Sequence, residues 1–321
     1  MKRKILDILK NTDGYISGEQ LSSELGVSRT AVWKNINSLR KDGYVIDSVT
    51  NKGYRMVSCP DKLDGNVIRE SLDTKVAGTE ICILDVVDST NEEIKRRAAN
   101  NAQSGLIVAA EKQTGGKGRL GRSWSSESGG LYFSLLLRPE LPPSDISGIT
   151  LAAGYAVCLA VREYTGIDAR IKWPNDVIVG NKKICGILTE MTAQTDRVDH
   201  VAIGIGINVN NEAFPEDINK KASSLYIESG KRIDRNKFLR CVIQKLDKVL
   251  SSFLVSLSAD GMSQFRELCA TIGKRVSVKR NNCTINAAAR DITPAGELII
   301  VDDNGKEFII NSGEVTVQGI Y

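Results

Sequence analysis

The 321-residue sequence predicts a multidomain α+β protein. Apolar residues at helical spacing occupy the first part of the chain, up to Gly43. Strands and helices then mix over residues 62–270, and short strands separated by turn residues follow Gly273. We therefore expect three domains, at residues 1–60, 62–270 and 273–321.

Three short helices are expected in the first domain. Residues 5–9 carry apolar side chains at helical spacing. Ser17 and Gln20 form a capping box that opens a second helix, and Gly26 ends it. Ser28 is placed to cap a third helix, whose apolar positions repeat at intervals of four and three residues.

A two-stranded hairpin over residues 44–56 follows the helices, with residues 51–53 near its tip. This layout is typical of a winged helix-turn-helix, a DNA-binding fold. The first 57 residues contain ten Lys and Arg against six Asp and Glu, so the whole net charge of +4 is concentrated there. Candidate DNA contacts are Ser28, Arg29, Thr30, Trp33, Lys34 and Asn37 on the third helix, with Lys52 and Arg55 in the hairpin. A docking module without DNA binding is the alternative.

The central domain is expected to be built on one sizeable mixed sheet. Its predicted strands cover residues 81–87, 106–110, 131–137, 170–173, 177–179, 184–190 and 201–209. Helices are predicted from Glu92, over residues 148–161 and near residues 236–254. In the last domain, turns at residues 281–282, 294–296 and 304–305 separate short strands, which predicts a small β-barrel.

Residue counts exclude several classes of site. His200 is the only histidine, and the seven cysteines show no CxxC spacing. A two-histidine zinc site and a Ser-His-Asp triad are therefore excluded, and we expect no metal bound directly by His or Cys. Scattered cysteines favour the reducing cytoplasm. The longest apolar run, Leu151–Val161, is about half the ~20 residues of a membrane span, so we expect no membrane partner.

A glycine-rich loop at Gly116–Gly121 matches the GxGxxG pattern of dinucleotide sites. That pattern requires a helix after the loop, but Trp124 and a further strand follow instead. The P-loop pattern is also missing, because no GK[ST] occurs. The loop nevertheless offers Lys117, Arg119 and Arg122, together with backbone amides that can approach an anion. Taken by itself, such a segment is more typical of a solvated basic loop.

Four further clusters each have a simple structural explanation when taken singly. Ser89 and Glu92 have the spacing of a capping box at a helix start. Residues 172–176 (KWPND) fit an extended segment ending in a turn, and Lys183 fits a surface lysine after a hairpin turn. Residues 204–208 place two glycines on one face of a strand, which is costly unless a ligand or another backbone comes close.

Taken together and in this order, these clusters resemble the motifs of the biotin–protein ligases. They are DST(N) at 88–91, G(K)GRxGR at 116–122, KWPND at 172–176, KxxGI at 183–187 and GIGINV at 204–209. The resemblance runs along the whole chain. With the N-terminal winged helix, the chain is similar to the bifunctional subgroup in which the ligase also represses biotin genes. It implies a central domain of the biotin/lipoate ligase type and an SH3-like C-terminal barrel.

The resemblance implies an activity, cofactors and partners. ATP and Mg²⁺ would be used to convert biotin to biotinyl-5′-AMP, and biotin would then be transferred to a lysine of a biotin carboxyl carrier domain of a carboxylase. The adenylate-bound protein would form a homodimer that binds operator DNA. Adenylation brings two anions together, so cationic side chains are needed to offset their repulsion.

The resemblance also assigns roles to residues. Biotin would be bound by Ser89, Thr90, Asn91, Gln113, Lys117, Gly118, Arg119, Lys183 and Gly186. The nucleotide would be bound by Arg119, Arg122, Trp124, Lys172, Asn175, Asp176, Lys183 and Asn208. Lys183 and Arg119 would be catalytic. The family loop commonly has arginine where this chain has Lys117, which keeps the charge but loses the planar, bidentate fork.

Three other functions remain open at this stage. The chain could be a ligand sensor whose pocket has lost catalysis, although Lys183, Asn175 and Asp176 argue against this. It could be a lipoate ligase, a class that shares the broader fold. It could also be a ligase whose winged helix only positions the catalytic domain.

Overall fold

The computed structural model of the chain divides into two compact units, Met1–Lys62 and Leu63–Tyr321. No described helix is long and apolar enough to cross a membrane. The described residues are 1–143, 146–194, 197–255, 259–280, 283–293, 295–311 and 313–321.

The first unit has the predicted helices and hairpin. Its elements are α1 (Lys2–Asn11), α2 (Gly18–Leu25), α3 (Arg29–Lys41), β1 (Val45–Val49) and β2 (Gly53–Ser58). Ser17 and Gln20 form the expected capping box, and Gly26 ends α2 with a left-handed φ of 63°. The Ser28 side chain accepts a hydrogen bond from the Ala31 N–H at the start of α3. The core consists of Ile5, Leu9, Ile16, Leu21, Val32, Ile36, Leu39 and Ile46.

Arg40 of α3 forms hydrogen bonds with strand β1 of the hairpin. Its Nε and Nη2 donate to the Ile46 carbonyl at 3.1 and 2.8 Å. Nη2 also donates to Ser48 Oγ at 3.0 Å. The hairpin is therefore held beside the helix that carries most of the candidate DNA contacts.

The second unit contains the predicted mixed sheet. Its strands are β3 (Glu80–Val87), β4 (Leu106–Gln113), β5 (Leu131–Leu137), β6 (Ala169–Lys172), β7 (Asp176–Val179), β8 (Lys182–Gln194) and β9 (Arg197–Ile207). The strand order is β3-β4-β5-β9-β8-β7-β6. Only the β3–β4 pair is parallel among these described strands, and the other neighbours are antiparallel.

Helices cover both faces of this sheet. They are α4 (Gly65–Arg69), α5 (Thr90–Ala99), α6 (Ile146–Thr165), α7 (Leu225–Ser229), α8 (Arg235–Val255) and α9 (Ala259–Leu268). On one face, Ile94 and Ala98 of α5 pack against apolar residues of β4, β5 and β9. The helices α6 and α8 share the larger core on the other side. Every residue of β5 is consequently buried, which explains its continuous apolar run.

The last five strands form an antiparallel sheet. They are β10 (Arg275–Arg280), β11 (Cys283–Ile292), β12 (Leu298–Asp302), β13 (Glu307–Ile310) and β14 (Glu314–Val317), ordered β13-β12-β11-β10-β14. The predicted turn at residues 304–305 lies between β12 and β13, with Gly305 at a φ of 80°. The predicted turn at 281–282, and residue 294 of another, lie outside the described residues. This pairing is consistent with a small barrel, whose closure stays a prediction.

Candidate active site and DNA-binding surface

A pocket of about 470 Å³, including its part open to solvent, lies at one face of the central sheet. It is lined by Ser89, Thr90, Asn91, Gln113, Lys117, Gly118, Arg119, Trp124, Asn175, Lys183, Gly186, Ile187, Leu188, Gly204, Ile205 and Gly206. Three of these residues are basic and none of the described lining residues is acidic. The pocket therefore suits an anionic ligand.

The two glycines of β9 make room for side chains on the pocket floor. A Cβ atom at Gly204 would lie 2.5 Å from Asn91 Oδ1, and one at Gly206 would lie 2.5 Å from Trp124 Nε1. A Cβ atom at Gly186 on the neighbouring strand would lie 2.8 Å from the Trp124 ring. The sequence predicted that a ligand or another backbone comes close to the two glycines of β9. In the structure, the side chains of Asn91 and Trp124 come close to them.

The amino end of α5 forms one wall of the pocket. Thr90 donates to Gln113 Oε1 through its backbone N–H at 2.8 Å and through Oγ1 at 3.1 Å. Gln113 Nε2 donates to Ser126 Oγ at 2.8 Å. Ser89 precedes α5 but makes no side-chain capping hydrogen bond. The expected capping box of Ser89 and Glu92 is thus wrong, because Glu92 pairs with two lysines instead.

Asn91 is held in a single orientation by its neighbours. Its Nδ2 donates to Glu190 Oε2 at 2.7 Å and to the Leu188 carbonyl at 3.2 Å. Ser134 Oγ lies 2.6 Å from Asn91 Oδ1 and 2.7 Å from Thr90 Oγ1. Both Nδ2 hydrogens of Asn91 are consequently used within the protein, and its Oδ1 keeps one lone pair at the floor of the pocket.

A chain of ion pairs connects this floor to the glycine-rich loop. Glu190 Oε1 lies 2.8 Å from Lys95 Nζ, which lies 3.1 Å from Glu92 Oε1. Glu92 Oε1 in turn lies 2.6 Å from Lys117 Nζ. Hydrogen bonds from Lys117 and Lys95 lower the pKa of Glu92 below its ordinary value.

The loop folds back on itself as a narrow turn. Lys117 and Ser123 form an isolated antiparallel bridge, and the Gly118 N–H donates to the Arg122 carbonyl at 2.7 Å. At Gly116 a Cβ atom would lie 2.5 Å from the Trp124 carbonyl oxygen, so only glycine fits there. The first regular element after the loop is strand β5 and not a helix, as predicted when the dinucleotide pattern was rejected.

Arg119 joins the loop to two other parts of the second unit. Its Nη1 donates to Asn175 Oδ1 at 2.9 Å, and its Nη2 donates to the Gly313 carbonyl at 3.1 Å. Asn175 Nδ2 donates to the Ile187 carbonyl at 2.9 Å. Burial lowers the pKa of Arg119, although the Asp176 carboxylate acts against this, and the guanidinium stays charged at neutral pH.

Lys183 projects into the pocket from the start of β8. Its Nζ lies 2.6 Å from Asp176 Oδ1 and 5.1 Å from the centroid of the Trp124 ring. The Trp124 indole N–H is buried and has no hydrogen-bond partner among the described residues. A ligand acceptor placed here would satisfy it.

Lys172 lies beside the pocket rather than in its wall. Its side chain is buried, at 7% exposure, with Nζ 3.6 Å from the centroid of the Tyr321 ring. Burial lowers the pKa of this lysine to about 8, despite the opposing effect of Asp176.

The structure gathers most of the predicted site residues at one pocket and leaves four outside its wall. The four are Arg122, Lys172, Asp176 and Asn208. Arg122 forms an ion pair with Glu314, while buried Asn208 donates to the Ser223 carbonyl at 2.9 Å. Their proposed contacts with nucleotide stay predictions.

Several residues of the site carried no recognisable sequence signal. Ser134 lies within a continuous apolar strand, and Glu190 lies near the end of a long one. Lys95 looks like an ordinary surface charge on a helix, and the only signal at Glu92 was the spacing of a helix cap. Only the sheet register brings these groups to Asn91 and Lys117.

The predicted DNA contacts lie on α3 and the hairpin of the first unit. Arg29, Thr30, Trp33, Lys34, Lys52 and Arg55 are exposed. Trp33 is 54% exposed, which is unusual for so large an apolar side chain. Ser28 uses its oxygen to cap α3, and Asn37 Oδ1 accepts from Arg40 Nη1 at 3.3 Å. The Ser28 and Asn37 side chains thus already form hydrogen bonds within the protein.

Three segments of the chain match known domain families. Residues 83–208 match the biotin/lipoate A/B protein ligase family. Residues 2–55 match the HTH domain, and residues 271–317 match the biotin protein ligase C-terminal domain. The pocket and the first unit therefore match two different domain families.

The bifunctional ligase/repressor BirA of Bacillus subtilis is 39% identical over 294 residues, covering 91% of this chain and 90% of the relative. This chain belongs to the bifunctional ligase/repressor family. The Escherichia coli member is 31% identical over 318 residues, covering 97% of each chain. The biotin–[acetyl-CoA-carboxylase] ligase of Mycobacterium tuberculosis is 31% identical and covers 72% of this chain and 88% of that relative.

A solved structure shares the fold of three quarters of this chain. A biotin protein ligase from Aquifex aeolicus, in complex with biotin and ATP, superposes with a TM-score of 0.66 at 32% identity. The match covers 75% of this ligase/repressor family member and 99% of the Aquifex chain.

Proposed function

We propose that this chain activates biotin with ATP and transfers it to a lysine of a biotin carboxyl carrier domain. The observation that carries the proposal is the pocket itself. Its lining combines fixed polar groups of Thr90, Asn91 and Gln113 with the positive charge of Lys117, Arg119 and Lys183. The polar groups suit a neutral, hydrogen-bonding ring, and the positive charge suits a carboxylate beside phosphates.

The first step forms a mixed anhydride. A biotin carboxylate oxygen attacks the α-phosphorus of ATP, the bond to the β-phosphate bridging oxygen breaks, and pyrophosphate leaves with the electron pair. Lys183, held by Asp176 at 2.6 Å, is placed to offset the charge on carboxylate and α-phosphate. Arg119 is placed to hold the loop over the product and limit its hydrolysis.

The second step transfers the acyl group. The neutral amine of the acceptor lysine attacks the acyl carbon of biotinyl-5′-AMP, AMP leaves, and the lysine nitrogen loses a proton. No nucleophile of this chain is required. That agrees with a site whose described lining residues include neither histidine nor cysteine.

Mg²⁺ would be held chiefly by the phosphates of ATP and would neutralise charge on the leaving pyrophosphate. The side chains present fit a metal ion that is bound mainly by phosphate. No cluster of three His, Cys, Asp or Glu side chains occurs within the described ranges, and Asp176 is the carboxylate paired with Lys183. A protein-only metal cage is accordingly not part of the proposal.

The first unit would give the protein its second function. We propose that it binds operator DNA through α3 and the hairpin, and that the adenylate-bound protein acts as a homodimer. A dimer would present two recognition helices to two half-sites. The cysteines with described side chains are all free, which fits a cytoplasmic location.

The test is incubation with biotin, Mg-ATP and a biotin carrier domain, followed by mass spectrometry for a biotinylated lysine. We expect transfer with biotin and not with lipoate, because the fixed amide groups match a ureido ring. Lys183→Ala should abolish pyrophosphate release, while Lys182→Ala on the same strand should not. Failure of transfer under saturating conditions would overturn the proposal.

A further inference from the structure

Tyr321 contacts two residues of the KWPND segment. Its hydroxyl donates a short hydrogen bond to Asp176 Oδ2. Its ring lies under the ammonium of Lys172, with Nζ 3.6 Å from the centroid. The match to the C-terminal domain of the family ends at residue 317, so Tyr321 lies outside it.

The Asp176 carboxylate is contacted at both oxygens, by a hydrogen bond at Oδ2 and by an ion pair without hydrogen-bond geometry at Oδ1. Tyr321 occupies Oδ2, and Lys183 Nζ lies 2.6 Å from Oδ1. The carboxylate side chain is only 14% exposed, and that of Lys183 is 26% exposed. A planar carboxylate fixed at one oxygen cannot rotate without displacing its partner at the other. The orientation of Tyr321 therefore decides where Asp176 directs the Lys183 ammonium.

Simple packing does not account for the hydroxyl. A phenylalanine ring would fill this partly buried position equally well, and burial raises the pKa of the Tyr321 phenol. The phenol stays protonated and acts as a donor to the carboxylate. Such charge-assisted hydrogen bonds are stronger and more directional than neutral ones.

We propose that Tyr321 is a positioning residue for adenylation, which orients Lys183 through Asp176 and supports the Lys172 ammonium with its ring. The inference rests on the proposed function. It means that Tyr321, beyond β14, supports the ATP side of the pocket from outside its wall, while the biotin side, around Asn91 and Gln113, does not depend on it.

Two variants distinguish the effect of the Tyr321 hydroxyl from the effect of its ring. Tyr321→Phe keeps the ring beneath Lys172 and removes the hydrogen bond to Asp176. Tyr321→Leu removes both. The matched control is Tyr155→Phe, since the Tyr155 hydroxyl donates to Gln264 Oε1 at 2.7 Å and Tyr155 does not line the pocket.

The experiment measures biotin-dependent ATP–pyrophosphate exchange in the full chain, with biotin affinity and thermal unfolding of each variant. We expect Tyr321→Phe to lower kcat/KM for ATP about tenfold to a hundredfold, with biotin affinity changed less than about twofold. Tyr321→Leu should also alter the pH dependence of the KM for ATP, because Lys172 loses its aromatic contact. Tyr155→Phe should resemble the wild type.

Each outcome has a separate meaning. Wild-type kcat/KM for ATP in Tyr321→Phe would overturn the inference and leave the proposed function intact. An equal loss of ATP and biotin affinity would also overturn it, because that is the pattern of general destabilisation. If the wild type itself shows no exchange, the proposed function fails, and calorimetric ATP binding to wild type and Tyr321→Phe then decides the role of Tyr321.

Discussion

Lys117 Nζ lies 2.6 Å from Glu92 Oε1. The first cationic residue of the glycine-rich loop is therefore already paired with a carboxylate near the start of α5. A lysine is a compact charge that makes no planar fork, and it can exchange one acidic partner for another. The pair therefore competes with an anionic ligand for the same ammonium.

Glu92→Gln should strengthen the binding of biotin and its adenylate. Removing the carboxylate frees Lys117 for the ligand, and an ion pair this exposed is worth about 0.2–1 kcal/mol, or up to about fivefold in Kd. Calorimetry at low and high salt measures the change. Glu93→Gln is the matched control, because Glu93 pairs with Arg96 and Arg97. Weaker binding in Glu92→Gln would show that Glu92 orients Lys117 instead.

Arg119→Ala should release the adenylate prematurely. The loop loses its links to Asn175 and to the Gly313 carbonyl, so it no longer closes over the product. We expect adenylate dissociation to accelerate by about tenfold or more, measured by trapping released intermediate. Arg275→Ala, which removes an exposed pair with Asp303, serves as control. Adenylate held as firmly as in the wild type would rule out the lid role.

Gly204→Ala and Gly206→Ala should affect different ligands. The first Cβ meets Asn91 at 2.5 Å and should weaken biotin binding. The second meets the Trp124 indole at 2.5 Å and should weaken nucleotide binding and change tryptophan fluorescence. Gly154→Ala is the control, because its nearest contact is 3.4 Å away. Identical losses of both ligands in both variants would contradict the separation.

Lys172 should make stability depend on pH. Its pKa falls from the ordinary 10.5 to about 8 in the folded chain, so between these values the unfolded chain binds more protons. The free energy of unfolding should therefore rise as pH increases through this window. Chemical denaturation of wild type and Lys172→Met measures the effect, and an equally steep rise in the variant would exclude Lys172 as its source.

Deprotonation of Lys172 should weaken ATP binding, although it raises the free energy of unfolding. As pH rises above about 8, Lys172 loses its charge and attracts phosphates less, so the KM for ATP should increase. Lys172→Arg stays charged and should flatten the profile. A profile unchanged by this substitution would assign the titration to another group.

Lys34→Ala should weaken DNA binding uniformly across sequences. The exposed lysine on α3 is placed for a phosphate contact, so its loss should lower the slope of log K against log salt by about 1. Lys10→Ala, an exposed lysine of α1, is the control. Equal slopes for Lys34→Ala and wild type would exclude that contact.

The sequence alone determined the local structure of the first unit and most strands of the second. Capping by Ser17, Ser28 and Gly26 depends on neighbouring residues, so it can be predicted from them. The ordered motifs also predicted many of the residues that line the pocket, although α4, α7 and α9 were missed. The first two of these helices are only five residues long and carry little periodic signal.

Only the tertiary structure decided how the groups of the site are partnered. Ser89 and Glu92 have capping-box spacing, yet Glu92 turns to Lys95 and Lys117 because the loop lies within reach. Glu190 reaches Asn91 from 99 residues away in sequence, and Tyr321 reaches Asp176 from 145. Such pairs depend on strand register and on the docking of the last sheet, which local sequence patterns do not encode.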